Sequence, residues 1–196
     1  MALTFPEEQI LRDTILPDLE RGRPDWDRPH TEAVVHWMKT LLKDSTLDPK
    51  ILVTAAYAHD WGYIDLFQEN CDYDIIQDRK ILHMELGAKR IVELLRSKCR
   101  SGYTDNQIER IRHLVYVHDR LQQLKDDDEL MLMEADTMGA LDSDLVKPTY
   151  DKADHEKYIV EVEGKRRPLF IHPTAISNYP ILLQKNNDFY ENQYKN

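Results

Sequence analysis

The stretch Ile51-Leu52-Val53-Thr54-Ala55-Ala56-Tyr57-Ala58-His59-Asp60-Trp61-Gly62-Tyr63 runs from an apolar segment straight into a histidine and an aspartate. Asp48 ahead of it suits a helix N-cap, and Pro49 suits the first helical position, where a missing N–H costs nothing. Ile51, Leu52, Ala55 and Ala56 lie eight, seven, four and three residues before His59, so the histidine shares their inward face. Gly62, just beyond Asp60, is expected to close this helix.

The flanking segments repeat the arrangement. Upstream, Pro29 suits the first turn of a helix that opens at His30, and Val34, Trp37, Met38 and Leu41 fall on the histidine's side. Downstream, spacing predicts a helix over roughly 77–98 that carries His83 beside Leu86, Gly87, Ile91 and Leu94, with Gly102 marking its end. Thr104-Asp105-Asn106-Gln107 reads as a capping box, and the helix it starts aligns Ile108, Ile111, Leu114 and Val115 with His118 while turning His113 away. A further helix over roughly 127–141, with acidic residues at its start to suit the macrodipole, sets Leu132, Met133, Gly139 and Ala140 around Asp136. With a weaker amphipathic segment over roughly 6–21, the pattern predicts an all-α helical bundle.

After Pro148 the character changes. Tyr158-Ile159-Val160-Glu161-Val162, then Glu163-Gly164, then Arg167-Pro168-Leu169-Phe170-Ile171 reads as a β-hairpin, and the tail from Gln184 is polar. The expected organisation is therefore a helical domain over 1–147 and a small appendage over 148–196.

Composition narrows the function. A hydrophobic content of 41% supports a real core, and the chain has neither a phosphate-binding glycine loop nor an apolar run of membrane-spanning length. Met1 to Glu8 lacks the basic flank and apolar stretch of a signal peptide, so a cytoplasmic protein is expected. Two cysteines, Cys71 and Cys99, form no thiolate metal motif, so any metal is held by nitrogen and oxygen. The net charge of −10 argues against long nucleic acid as a partner, and an anionic substrate would need help from bound cations. Self-association into a homodimer is left open.

Four histidines and two aspartates, His30, His59, Asp60, His83, His118 and Asp136, thus fall on inward faces or ends of successive helices. A lone histidine there is more often a hydrogen-bonded core residue than a ligand. Six buried polar groups together, however, would each need a partner of their own. Imidazole with carboxylate suits a divalent transition metal, iron, manganese, nickel, cobalt or zinc in preference to magnesium.

His30, then His59-Asp60, then Asp136 resembles the H…HD…D pattern of the HD-domain metal-dependent phosphohydrolase superfamily, over residues from about 26 to 141. With His83 and His118 the pattern looks like the superfamily's dinuclear branch. That resemblance implies His30, His59, Asp60 and Asp136 on one metal, His83 and His118 on the other, and Asp60 bridging as the catalytic carboxylate. The alternative of a single metal, with His83 and His118 lining the pocket, stays open at this point.

The resemblance also implies hydrolysis of a small phosphoester, such as a nucleotide, by a metal-activated water. A diiron, O2-dependent oxygenase and a degenerate nucleotide-binding HD domain are the competing expectations. Several dinuclear families have a lysine three residues after the bridging aspartate, where this chain has Tyr63. Tyr63, Lys80 and Arg120 are the candidate substrate-binding residues, with Arg28 and Lys147 as further cations near ligands in sequence.

Overall fold

Two helices are covered by neighbours almost all the way round over most of their length. The computed structural model, which describes residues 4–23, 25–67 and 72–193, places both at the centre. One is α3 (Pro49–Ala58), buried continuously from Leu52 to Ala58, and the other is α6 (Asp127–Leu141), buried from Met131 to Leu141. Around them stand α1 (Glu8–Leu19), α2 (Asp27–Leu41), α4 (Tyr73–Lys98) and α5 (Asp105–Val117). The chain ends in α7 (Lys152–Glu161) and α8 (Pro173–Gln193). The protein is all-helical, with no strand among the described residues.

Capping residues set the boundaries. Asp48 accepts from the Lys50 and Ile51 amides ahead of Pro49, Asp72 accepts from Ile75, and Thr104 and Gln107 form the expected capping box. Asp126 and Glu129 form a second one at the acidic start of α6. Two helices begin earlier than their spacing predicts: α2 opens at Asp27, and α4 at Tyr73.

Two glycines let helices approach closely. A Cβ on Gly139 would come within 2.9 Å of the Val34 amide nitrogen, so α6 lies directly on α2 and sets Asp136 against His30. Gly62 acts similarly, and it lies past the helix it was expected to close, with no positive φ at any glycine among the described residues. α3 ends at Ala58, His59 is its C-cap, and Gly62 sits in the following 3-10 turn, Trp61–Tyr63. There a Cβ would overlap the His83 carbonyl oxygen and stand 2.6 Å from its carbon and 2.8 Å from the Gly87 nitrogen. The turn after His59-Asp60 is thereby pressed against α4.

The β-hairpin expected over 158–171 is not present. Tyr158 to Glu161 belong to α7, Val162–Arg166 continues it as a π-helical turn, and Arg167–Leu169 is a 3-10 turn. Asp151 caps α7 by accepting from the Asp154 amide, and covered positions recur near 154–155, 158–159 and 162, a helical period. The β-branched residues that suggested a strand occupy a helix face instead, and Val160 is 73% exposed. The polar tail from Gln184 lies in α8 as far as Gln193, where Asn186 and Tyr190 are buried. Phe170, Ala175, Tyr179 and Leu182 join the same hydrophobic core as α1 to α6. Cys99 is a buried free thiol, and Cys71 lies outside the described residues.

Candidate metal centre

Five elements bring the six expected residues to one place. His30 comes from α2, His59 and Asp60 from the end of α3, His83 from the middle of α4, His118 from the C-cap of α5 and Asp136 from α6. Their exposures run from 0% to 7%.

The nitrogens and oxygens converge in two sets. His30 Nε2 lies 3.3 Å from His59 Nε2 and 3.0 Å from Asp136 Oδ1, with His59 Nε2 3.7 Å from the same oxygen. His83 Nε2 lies 3.2 Å from His118 Nε2. Asp60 stands between them: Oδ2 is 3.7 Å from His30 Nε2 and 3.5 Å from His59 Nε2, and Oδ1 is 3.4 Å from His83 Nε2 and 3.7 Å from His118 Nε2.

Tautomers decide what those contacts can be. His59 Nδ1 donates to the Ala56 carbonyl and His118 Nδ1 to the Val115 carbonyl, each at 2.8 Å, so in the neutral rings each Nε2 presents a bare lone pair to the cluster. His30 and His83 are oriented by stacking instead, on Trp26 (5.2 Å, 17°) and Tyr63 (4.0 Å, 11°). Burial keeps His59 below the ordinary imidazole range and pushes His83 down to about 3, so both are neutral at pH 7. For His118 burial works in the same direction, but Asp60 and Asp119 outweigh it and raise the group.

Converging lone pairs repel unless a proton or a cation sits among them, and His30 Nε2 and His83 Nε2 are within hydrogen-bond distance of Asp136 and His118 respectively. Two donors each about 2.1 Å from one ion stand about 3.0 Å apart at a right angle and about 3.4 Å apart at the tetrahedral angle. The spacings here run from 3.0 to 3.7 Å, from that range to slightly beyond it. His30, His59 and Asp136 form one group that could hold a metal ion, and Asp60, His83 and His118 form another.

Two arginines, Arg166 buried and Arg23 with its side chain 11% exposed, fix the carboxylates. Arg23 donates from Nη2 to Asp60 Oδ2 and from Nε to Asp27 Oδ1, both at 2.6 Å. Arg166, from the π-helical turn, donates to Asp136 Oδ2 at 2.7 Å, to the Thr137 hydroxyl at 3.0 Å and to Asp119. Burial opposes ionisation of Asp60 and Asp136, but His59 with Arg23, and Arg166 with His30, hold both carboxyls well below the usual range. Asp119 is likewise held low against burial by Lys80 and Arg166. Asp27 goes the other way, raised by burial to about 6 despite Arg23.

A cleft of about 520 Å³, counting its open mouth, leads to the cluster. Arg23, Lys80 and Arg166 line it together with the carboxylates of Asp60, Asp119, Asp136 and Glu161, and Tyr150 and Tyr158 contribute from beyond Pro148.

Of the candidate substrate-binding residues, Lys80 and Tyr63 line the cleft, Tyr63 lying flat on His83 beneath the Arg23 guanidinium. Arg120 is directed elsewhere, stacked on Tyr116 and bonded to its carbonyl. Arg28 pairs with Glu20, and Lys147 is exposed. His36 is exposed, His113 bonds Glu129, His155 stacks on Tyr190 and His172 accepts from the Thr174 amide, so none of these four joins the cluster.

Sequence reasoning missed Arg23, Arg166, Asp119 and Glu161. Asp119 had a signal: His118-Asp119 repeats His59-Asp60 as a His-Asp pair at a helix end, with the same histidine bond to the carbonyl three residues back. Arg166 had none, because its segment reads as a hairpin.

No protein-family model, no curated protein and no solved structure matches the chain. No helix among the described residues is long and apolar enough to cross a membrane.

Proposed function

We propose that the protein is a metal-dependent phosphohydrolase of the HD-domain type, with two divalent transition-metal ions in the cluster and a small phosphoester, such as a nucleotide, as substrate. The observation that carries the reading is the placement of Asp60, whose two oxygens face the two histidine pairs separately. A carboxylate that bridges two cations requires this orientation. His30, His59, Asp60 and Asp136 would hold one ion, and His83, His118 and Asp60 the other. When bound, such cations acidify water and offset charge on phosphoryl oxygens.

The chain's own residues prepare the site. Arg23 and Arg166 keep Asp60 and Asp136 ionised and oriented, the Ala56 and Val115 carbonyls aim two lone pairs inward, and Trp26 and Tyr63 hold the remaining rings. The cleft-lining arginines, lysine and carboxylates number three cations against four anions, a formal charge of −1. Two divalent ions would turn that into +3, complementary to a phosphate dianion, so the acidic chain accepts an anionic substrate only when loaded. Tyr150, Tyr158 and Arg166 wall the cleft from the C-terminal side, which favours a small substrate over a polymer.

The test is a screen of phosphate esters and nucleotides with Mn2+, Fe2+, Co2+ and Ni2+ supplied. Metal-dependent release of phosphate, abolished in Asp60→Ala and in His59→Ala with helical content kept, is the expected outcome. Near-wild-type turnover in either variant would remove the basis of the reading, and turnover that needs O2 would replace it with the oxygenase.

A further inference from the structure

Three cationic side chains line the cleft, and two of them are committed to carboxylates. Arg23 is taken by Asp27 and Asp60, and Arg166 by Asp119 and Asp136. A guanidinium, moreover, gives up no proton in a protein. Lys80 also faces carboxylates, Glu161 and Asp119, but its ammonium carries a proton that can be transferred. It enters from α4 three residues before His83, and its Nζ lies 3.1 Å from Glu161 Oε1 and 3.7 Å from Asp119 Oδ2. An ammonium has three N–H bonds, and among the described residues only the Glu161 contact is of hydrogen-bond length.

Glu161 is itself fixed from the opposite side, where its Oε2 accepts from the Tyr73 hydroxyl and from Gln77 Nε2 at 3.2 Å. Asp119 is fixed by Arg166. The amine is thus held at the cleft wall by two immobilised carboxylates. No other amine lines this cleft among the described residues, and Tyr63 is laid flat on His83.

We propose that Lys80 is the catalytic residue that protonates the departing oxygen of the phosphoester, with Glu161 and Asp119 as positioning residues. The proposal rests on the phosphohydrolase reading. A water oxygen forms the new bond to phosphorus and the ester P–O bond breaks with its electron pair on the departing oxygen. That oxygen takes a proton from Lys80 Nζ, and the amine regains one from solvent, which receives the proton lost by the attacking water. Ester and water become alcohol and phosphate, with Lys80 unchanged.

The experiment compares K80M and K80R with wild-type protein on two esters, 4-nitrophenyl phosphate and glycerol 2-phosphate, in the metal-loaded state. A nitrophenolate leaves without a proton, whereas an alkoxide needs one. In K80M, kcat on glycerol 2-phosphate should fall by about 10²–10⁴-fold and on 4-nitrophenyl phosphate by less than about tenfold. K80R keeps the charge but has no transferable proton, so it should not restore kcat on glycerol 2-phosphate. Metal content and circular dichroism should match wild type in both variants; calorimetric affinity for inorganic phosphate should be kept in K80R, which retains the charge, and fall by less than about tenfold in K80M. Equal losses on both esters, or phosphate affinity falling in step with kcat, would make Lys80 a phosphate-binding cation and overturn the proposal. A wild-type protein that hydrolyses neither these esters nor any nucleotide in the screen would fail the phosphohydrolase reading itself, and the proposal with it.

Discussion

Replacing Arg166 with methionine removes a cation that reaches from the C-terminal segment to a metal-cluster carboxylate. Arg166 is 6% exposed and donates to Asp136 Oδ2 at 2.7 Å, to Thr137 at 3.0 Å and to Asp119. Methionine fills much of the volume but leaves Asp136 with only His30 at 3.0 Å and Asp119 with only Lys80 at 3.7 Å. Breaking a buried pair from one side costs about 3–5 kcal/mol, because the partner stays desolvated. In a chain of this size each kcal/mol moves the melting temperature by about 2–4 °C, so the metal-free variant should melt on the order of 10 °C lower. Thermal unfolding followed by circular dichroism, with chelator present, measures this. Combining the change with Asp119→Asn should recover part of the loss, with a coupling of about 0.5–3 kcal/mol. A metal-free Arg166→Met protein melting within about 2 °C of wild type would refute the pairing argument. A double variant with strictly additive losses would refute it equally.

Gly62→Ala should be among the most damaging single-methyl changes in the chain, since its Cβ meets the α4 backbone at His83 and Gly87. A loss of about 1–3 kcal/mol or more in urea unfolding, with reduced metal content, is expected, and a wild-type midpoint would contradict the contact. His113→Ala should leave metal content unchanged, because His113 bonds Glu129 away from the cluster; metal analysis that shows a loss would contradict the helical phase of α5. Acid should destabilise the metal-free protein. Burial holds His59 and His83 below their ordinary value, and cationic partners hold Asp60, Asp136 and Asp119 low, so at these five groups the unfolded chain binds more protons. Their contribution is complete above the ordinary imidazole value of about 6.5 and is lost as pH falls through the folded values. Asp27, raised to about 6, and His118, also raised, act in the opposite sense but are fewer. Urea midpoints at pH 7, 5.5 and 4 should therefore decline; a midpoint that rises on acidification would contradict this.

The six cluster residues were legible because helical periodicity is a local property. Once Leu52, Ala55 and Ala56 define an inward face, His59 follows from arithmetic, and His118 follows in the same way from Ile111, Leu114 and Val115. The arginines that hold the carboxylates were not legible. Arg23 precedes α2 and Arg166 lies 143 residues further on, and nothing in the spacing of either points to Asp60 or Asp136. The hairpin reading of 158–171 failed for a physical reason. Tyr158, Ile159, Val160 and Val162 have β-propensity, but Asp151 caps a helix there and Asp154, His155 and Val162 bury one side of it. Tertiary burial outweighed a propensity that spans only about 1 kcal/mol. Gly62 shows a subtler gap: its place just past a helix is readable from the sequence, but the close approach of α4 that requires it is a contact no local pattern encodes.

The most direct measurement is an anomalous-scattering map of crystals grown with excess Mn2+ or Fe2+, joined to metal analysis of the same protein. The expected result is two ions per chain, one among His30, His59 and Asp136 and the other between His83 and His118, with Asp60 giving one oxygen to each. A single ion, or none, with His83 and His118 more than about 4 Å from any metal would contradict the bridged pair, since ligand bonds are near 2 Å.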